Sequence, residues 1–246
     1  MNDAIKKLWR PYFHYDWKSG VFLILLFGIP RFIIVLQSYV NKSYGTVAWI
    51  FVGMWLVPFV LLTKAGRKDI GLRSPSPWWR TGLSFAVGGV ACFLLFEAFA
   101  WLYGSSLENP FVYIGGNNPT NGIAGNDKFI YFLIAAVPSM LFSPIGEEFL
   151  YRGVIHGCFA GRFGETKASF FDSAAFALTH VAHFGIVYTA ATWRFLPLPS
   201  LLWILSMFLV SQLFFRCKRY CHSLWGAVAA HAGFNLVMMY GIFYGF

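Results

Sequence analysis

The side chains best suited to chemistry in this chain are polar groups that lie inside long apolar stretches. One stretch carries two adjacent carboxylates and a guanidinium, those of Glu147, Glu148 and Arg152. A charged group in hydrocarbon is costly, so such groups rarely lie there without a partner and a function. A glutamate pair joined by two histidines and an asparagine indicates hydrolysis inside a membrane. The other two clusters are Phe176 with His180, and His231 with Asn235.

Helical spacing predicts different roles for the two glutamates. Glu148 and Arg152 are four residues apart, so they can neutralise each other along one edge of a helix. Glu147 is rotated by about 100° from Glu148. We therefore predict that Glu147 is left free to point into a cavity, where it acts as a general acid or base.

The histidine clusters supply the remaining parts of such a site. Phe176 and His180 share one helix face, as do His231 and Asn235. We predict that Glu147 and His180 hold and deprotonate a water molecule. The imidazole and carboxamide of the third cluster offer N–H donors to a developing oxyanion. The parts of a one-water peptide hydrolysis are then all present.

The three clusters are also predicted to lie at one depth. Glu147, His180 and His231 are each twelve to fifteen residues from a basic residue at the cytoplasmic end of their stretch, which corresponds to roughly 18–22 Å along a helix. Polar residues of separate helices at one depth indicate a shared, water-containing cavity. The alternative for each cluster taken singly is a polar contact that merely joins helices.

Further polar residues are assigned lesser roles. His183 lies one turn beyond His180 and is predicted to support it, whereas Asp172 is interpreted as a cap or interface residue. Arg31 and Glu97 lie in the middle of the first and third apolar segments, and we predict that they form an ion pair because each is costly alone. Contact with a substrate is the alternative for that pair. The supporting residues are thus Glu148, Arg152, Phe176 and His183.

Composition shows which elements must position these residues. The 246-residue chain is 58% hydrophobic and 12% charged, with a mean hydropathy of +0.59, whereas soluble domains carry about twice that charged fraction. We predict an all-α, polytopic transmembrane bundle that forms one domain over residues 1–246, with the motifs in residues 128–246. Topology explains the net charge of +9 better than a nucleic-acid partner does. The four cysteines are predicted to be structural.

Seven apolar segments are long enough to span a bilayer. The fourth is too long for one straight helix and contains Pro138 and Pro144, so it could tilt, kink or split, and a split would give eight spans. The connection Gly104–Asp127 is rich in Gly, Asn and Pro and is predicted to be an irregular outside loop. The segments are Val21–Tyr39, Thr46–Thr63, Thr81–Tyr103, Phe129–Ala160, Ala168–Gly185, Pro199–Phe215 and His222–Phe246.

Basic residues predict the orientation. Fourteen of the seventeen that lie outside the spans fall in alternate connections, which the positive-inside rule places in the cytoplasm. This predicts a multi-pass protein, of a bacterial cytoplasmic membrane, with its amino terminus in the cytoplasm and its carboxy terminus outside. The fourteen are Lys6, Lys7, Arg10, Lys18, Lys64, Arg67, Lys68, Arg73, Arg80, Arg162, Lys167, Arg216, Lys218 and Arg219.

The three motifs in this order resemble the CPBP family, which groups type II CAAX prenyl proteases with bacteriocin-processing and abortive-infection proteins. The resemblance implies an intramembrane endopeptidase with a helical-bundle fold. It also implies that Glu147 and His180 activate the water and that His231 and Asn235 stabilise the oxyanion. The family pattern of Glu-Glu-x-x-x-Arg, Phe-x-x-x-His and His-x-x-x-Asn is matched at Glu147, Glu148 and Arg152, at Phe176 and His180, and at His231 and Asn235.

Alternatives stay open at this point. No cofactor is predicted, but Glu147, His180 and His231 could form a His-His-carboxylate zinc site, and the family has been labelled metalloprotease. A non-catalytic scaffold or immunity protein is the alternative function, because some family members are cited for such roles. The expected partner is a membrane-embedded or membrane-anchored protein or peptide. A prenylated CAAX protein, a leader peptide and a membrane-anchored tail all fit that description.

Overall fold

The structure, a computed structural model, describes residues 4–43, 45–117 and 127–245. Over these residues the chain is mostly helical, with one β-hairpin. The helices are α1 (Trp17–Asn41), α2 (Gly45–Leu61), α3 (Lys64–Asp69), α4 (Trp79–Tyr103), α5 (Pro110–Gly116), α6 (Lys128–Glu147), a π-helix (Glu148–Ile155), α7 (His156–Thr179), α8 (Pro197–Cys221) and α9 (Leu224–Tyr244), and the strands are β1 (Ile186–Thr189) and β2 (Thr192–Phe195). Short 3-10 turns lie at Lys7–Trp9 and His180–Ala182.

The stretch that carries the first two motifs forms one helical run, Lys128–Ala182. Pro138 and Pro144 lie inside α6 without ending it. The run is interrupted at Gly164, whose φ of 76° and ψ of 164° are not helical and suit a residue without a Cβ. This interruption falls in the predicted gap between the fourth and fifth segments, whereas neither proline splits the helix.

Among the described residues, five helical runs are long and apolar enough to cross a membrane. Together with the helical content, they make the chain an all-α integral membrane protein. The count of seven crossings requires α2 and both arms around Gly164 to cross separately, and it stays a prediction. The five runs are Trp17–Asn41, Trp79–Tyr103, Lys128–Ala182, Pro197–Cys221 and Leu224–Tyr244, and Gly45–Leu61 is a shorter apolar helix.

Contacts between helix ends define two opposite ends of the bundle. At one end, Arg73 Nε donates a hydrogen bond to the carbonyl oxygen of His222 at 2.7 Å. This end carries the basic connections, and we call it the basic end. At the other, Tyr39 Oη donates to the carbonyl oxygen of His183 at 2.5 Å. The β-hairpin follows directly, so we call this the hairpin end.

We expect reporter fusions to place the amino terminus in the cytoplasm and the carboxy terminus outside. The physical reason is the concentration of lysine and arginine at the basic end, which the positive-inside rule retains in the cytoplasm. The measurement uses paired reporters, one active only in the cytoplasm and one active only outside, fused to each terminus. Both termini on one side would contradict seven crossings.

The hairpin was not predicted from the sequence. Strands β1 and β2 pair antiparallel over four residue pairs, in a connection too short for a hydropathy pattern to identify strands. The backbone N–H of Tyr188 donates to Tyr113 Oη at 2.8 Å. This bond ties the hairpin to α5 and fixes both at the hairpin end.

Helix α5 corrects the expectation of an irregular loop over Gly104–Asp127. Asn109 caps the helix by accepting a hydrogen bond from the N–H of Phe111 at 3.0 Å, and Pro110 occupies the first turn. Both are favoured helix-start features. Residues 118–126 of this connection lie outside the described residues.

Helices α4 and α9 approach each other closely because glycines leave room at their crossing. A Cβ on Gly88 would lie 1.7 Å from the carbonyl oxygen of Ala230, and a Cβ on Gly233 would lie 2.0 Å from that of Phe85. Small residues at such positions let membrane helices pack backbone to backbone. Because His231 lies between Ala230 and Gly233 in sequence, this crossing sets its position.

We expect Gly88→Ala to lower the free energy of unfolding of the purified protein by about 1–3 kcal/mol, because overpacking forces the two backbones apart. Gly82→Ala is the matched control on the same helix, since a Cβ there meets nothing within 4 Å. Thermal unfolding in detergent is the measurement. Equal transition temperatures for the two variants would remove the crossing as a constraint on α9.

Candidate active site

Glu147, the last residue of α6, is buried at the centre of a polar cluster. Its Oε1 lies 2.6 Å from Arg31 Nη2, and its Oε2 accepts a hydrogen bond from Ser143 Oγ at 3.0 Å. Arg31 is also buried. The prediction that Glu147 is left free was therefore wrong, because an arginine of α1 pairs with it.

The prediction of an ion pair between Arg31 and Glu97 was also wrong, because Arg31 pairs with Glu147 instead. Helix α1, which carries Arg31, packs against α2, α7 and the π-helix, and the guanidinium of Arg31 is directed at Glu147. Glu97 is exposed on α4. Two mid-span charges of opposite sign need not meet, because the sequence does not specify which helices are neighbours.

Arg31 also determines how the two histidines of the second motif are oriented. Its Nη2 lies 3.4 Å from His180 Nε2 and 3.3 Å from His183 Nε2, and its Nη1 donates to Thr179 Oγ1 at 2.5 Å. A guanidinium only donates hydrogen bonds, so both Nε2 atoms must be acceptors. His180 then carries its proton on Nδ1, which donates to the carbonyl oxygen of Phe176 at 2.7 Å.

His231 of α9 lies between the two glutamates of the first motif. Its Nδ1 is 2.9 Å from Glu148 Oε1, and its Nε2 is 3.6 Å from Glu147 Oε2. The ring stacks on Phe214, with centroids 4.7 Å apart, and meets Phe176 edge-on at 5.9 Å. Two carboxylates and two aromatic rings thus fix the plane and the direction of this imidazole.

The predicted pairing of Glu148 with Arg152 is present. Glu148 Oε2 lies 3.2 Å from Arg152 Nε, and both side chains are fully buried. Arg152 Nη2 donates to Ser211 Oγ at 2.5 Å, and the guanidinium lies 4.2 Å from the ring centroid of Phe176. The supporting residues of two motifs are therefore in direct contact.

The buried polar network continues from this pair to the surface of the protein. Asp172 Oδ1 is 4.0 Å from Arg152 Nε, and Asp172 Oδ2 is 2.7 Å from His156 Nδ1. His156 Nε2 lies 3.1 Å from an oxygen of Glu165, whose side chain is 63% exposed. Asp172 was predicted to be a cap or interface residue and is instead an internal member of this network.

Asn235 lies one turn after His231 and close to the middle of α6. Its Nδ2 donates to the carbonyl oxygen of Ser139 at 2.8 Å. That carbonyl belongs to the turn just before Ser143, which bonds Glu147. The amide therefore connects α9 to the helix that carries the glutamates, and one of its two N–H donors is used.

A cavity of about 480 Å³ adjoins these groups. Its lining is mainly apolar, and its polar members are Arg31, two serines of α6, and the histidines and asparagine of the second and third motifs. Glu147, which was predicted to point into a cavity, is not among the lining residues but contacts Arg31, Ser143 and His231, which are. Such a mixture is typical of sites that bind an apolar ligand and orient it with a few polar groups. The polar lining residues are Arg31, Ser139, Ser143, His180, His183, His231 and Asn235.

The arrangement does not fit a zinc ion. Glu147 Oε1 and His180 Nε2, two of the three conceivable ligands, both point at Arg31 Nη2. That guanidinium is a cation with donors only, and it lies where an ion shared by the two would lie. Among the described residues, no group of three or more His, Cys, Asp or Glu side chains is arranged to hold a metal ion.

Comparison with known families provides an independent test of the motif resemblance. Residues 129–237 match the family model described as type II CAAX prenyl endopeptidase Rce1-like. This family model is one of the CPBP type. The match contains all three motifs and confirms the predicted resemblance, and the family is one of proteases. Neither the comparison with curated proteins nor that with solved structures found a significant match.

Sequence reasoning missed two residues at the centre of this site. Arg31 lies outside the matched range, and Ser143 precedes the first motif by one turn. A buried arginine in an apolar helix was itself a signal, because it must find an acceptor near its own depth. Glu147 and Glu97 were both available partners, and spacing along the chain could not distinguish between them.

Proposed function

We propose that the protein is an intramembrane endopeptidase that hydrolyses a peptide bond of a membrane-associated polypeptide with a water molecule activated by Glu147 and His180. One observation carries the proposal. Glu147, His180 and His231 come from three separate helical segments: Arg31 contacts the first two, and His231 contacts Glu147. Arg31 and the two histidines line one cavity. A helix-joining role for each cluster would not require a common cavity.

The water is expected on the cavity side of Glu147 and His180, next to the guanidinium of Arg31 that lies between the two side chains. The carboxylate takes its proton while the water oxygen bonds to the carbonyl carbon of the substrate. The proton then passes to the amine as the C–N bond breaks. His180 would orient this water through Nε2, since its Nδ1 proton is used by the carbonyl oxygen of Phe176. The water would then replace the 3.4 Å contact between Nε2 and Arg31 Nη2.

The oxyanion of the tetrahedral intermediate is expected beside His231 and Asn235. Both side chains line the cavity. An imidazole that is protonated on both nitrogens would donate Nδ1–H to Glu148 and Nε2–H to the oxyanion. Asn235 retains one N–H after its bond to Ser139, and this donor is available to the same oxyanion.

We expect the purified protein to cleave internally quenched peptides without a thiol nucleophile and without bound metal. The cysteines Cys92, Cys158, Cys217 and Cys221 are all free and buried, and Glu147 with His180 can supply an attacking water directly. The measurement is cleavage of an apolar peptide library by a cysteine-to-alanine variant in detergent, with and without a strong chelator.

The outcomes separate three explanations. Activity that survives both changes supports the glutamate mechanism, whereas activity lost with chelator and restored by zinc would overturn it and keep the same residues as metal ligands. No cleavage of any peptide by a folded protein would favour the scaffold or immunity role. Glu147→Gln in each condition is the control for contaminating proteases.

A further inference from the structure

The cavity beside Glu147 is directed toward one end of the bundle. Its lining residues outside the polar cluster include Ala48 near the start of α2, Ile114 on α5, Ile134 near the start of α6 and Met238 near the end of α9. Each lies on the part of its helix that is near the hairpin end. Ile134 is 61% exposed, whereas Arg31, which lines the same cavity and contacts Glu147, is buried.

The opposite direction is closed by protein. Every residue of the π-helix Glu148–Ile155, which continues from Glu147 toward the basic end, is buried. The guanidinium of Arg152 and the carboxylate of Glu148 fill the space beneath His231. A second, polar pocket of about 340 Å³ lies at the basic end, and it shares no lining residue with the cavity.

The charge distribution relates these two ends to the sides of a membrane. The connections at the basic end carry fourteen of the seventeen lysines and arginines outside the spans. The positive-inside rule places that end in the cytoplasm. The cavity mouth, at the hairpin end, is then in the outer half of the bilayer.

We propose that the site receives its substrate from the extracytoplasmic side, so that the substrate is a membrane-anchored polypeptide whose cleaved segment lies in the outer half of the bilayer. This inference rests on the proposed function. Apolar side chains such as Phe51, Met207 and Met239 line most of the cavity, so the residues beside the cleaved bond are apolar. A path from the basic end would have to pass the π-helix, every residue of which is buried.

Cysteine accessibility tests the direction of opening without any cleavage. The background is the full chain with its four buried cysteines replaced by alanine. Ala48→Cys and Met238→Cys place a thiol in the lining of the cavity. Ser74→Cys places one at the exposed basic end, and Leu94→Cys places one at an exposed apolar position on α4. A membrane-impermeant methanethiosulfonate reagent is added to intact cells and, separately, to inverted membrane vesicles.

We expect the two cavity cysteines to react in intact cells and to lose that reaction in inverted vesicles, with Ser74→Cys behaving in the opposite way. Leu94→Cys should react in neither, because lipid excludes the reagent. Reaction of the cavity cysteines only in inverted vesicles, or in neither preparation, overturns the proposal, as does reaction of Ser74→Cys in intact cells. Repeating the set with Glu147→Gln should leave the labelling unchanged. An inactive protein therefore still reports the direction of opening, and failure of the proposed function is distinguishable from failure of this inference.

Discussion

Glu147→Gln is expected to reduce the turnover number about 10²–10⁴-fold, the usual contribution of a general acid–base group. Glutamine matches glutamate in size and can still accept the hydrogen bond from Ser143. It cannot take a proton from water. The folded yield should therefore fall far less than the activity. The measurement is single-turnover cleavage of a peptide substrate at equal amounts of folded protein.

Glu148→Gln is the matched variant, one residue away and equally buried. Glu148 pairs with Arg152 and holds His231 Nδ1, so its loss should mainly lower the folded yield and reduce the activity only in part. Equal losses of rate at equal folded amounts would contradict this division between the two glutamates.

Arg31→Leu is expected to destabilise the folded protein by about 3–5 kcal/mol, because it leaves the carboxylate of Glu147 buried without a counter-charge. It also removes the donor that fixes the Nε2 atoms of His180 and His183. Folded yield and residual activity should both fall. The double variant Arg31→Leu with Glu147→Leu should recover part of the yield and none of the activity.

Two further variants make this test specific. Glu97→Leu should leave the yield unchanged, because Glu97 is exposed on α4. Arg31→Lys should retain more yield than activity, because a single ammonium cannot reproduce the fork that reaches Thr179, Glu147 and the histidines. A rescue of Arg31→Leu by Glu97→Leu would show that the arginine pairs with α4 after all.

Contacts between residues of one helix could be predicted well from the sequence, whereas contacts between residues of different helices could not. The pairing of Glu148 with Arg152 followed from a spacing of four residues, and the interruption at Gly164 fell in a predicted gap. These predictions need only the geometry of one helix. The contact between Arg31 and Glu147 joins residues more than a hundred positions apart, and hydropathy does not order helices in a bundle.

The membrane environment explains another part of what was missed. Apolar residues cover both the lipid-facing and the core-facing sides of these helices, so periodicity alone does not show which face is inside. Polar residues are the exception, because they must face the interior or a partner. That is why the motifs could be placed in one cluster, whereas the hairpin and helix α5, which lie in connections without such charged or histidine motifs, could not be predicted.

The π-helix of Glu148–Ile155 makes the site sensitive to chain length. A π-helix contains one more residue per turn than the α-helix into which it is inserted, so deleting one residue within it would restore an α-helix. The deletion would leave composition and hydropathy almost unchanged, yet it would turn Glu147 relative to Arg152 by about 100°. Functional variants with an insertion or deletion should therefore be rarer in Glu148–Ile155 than in the connections between helices. When this helix is transplanted into another protein, the number of residues in the π-helix should be preserved as well as their types.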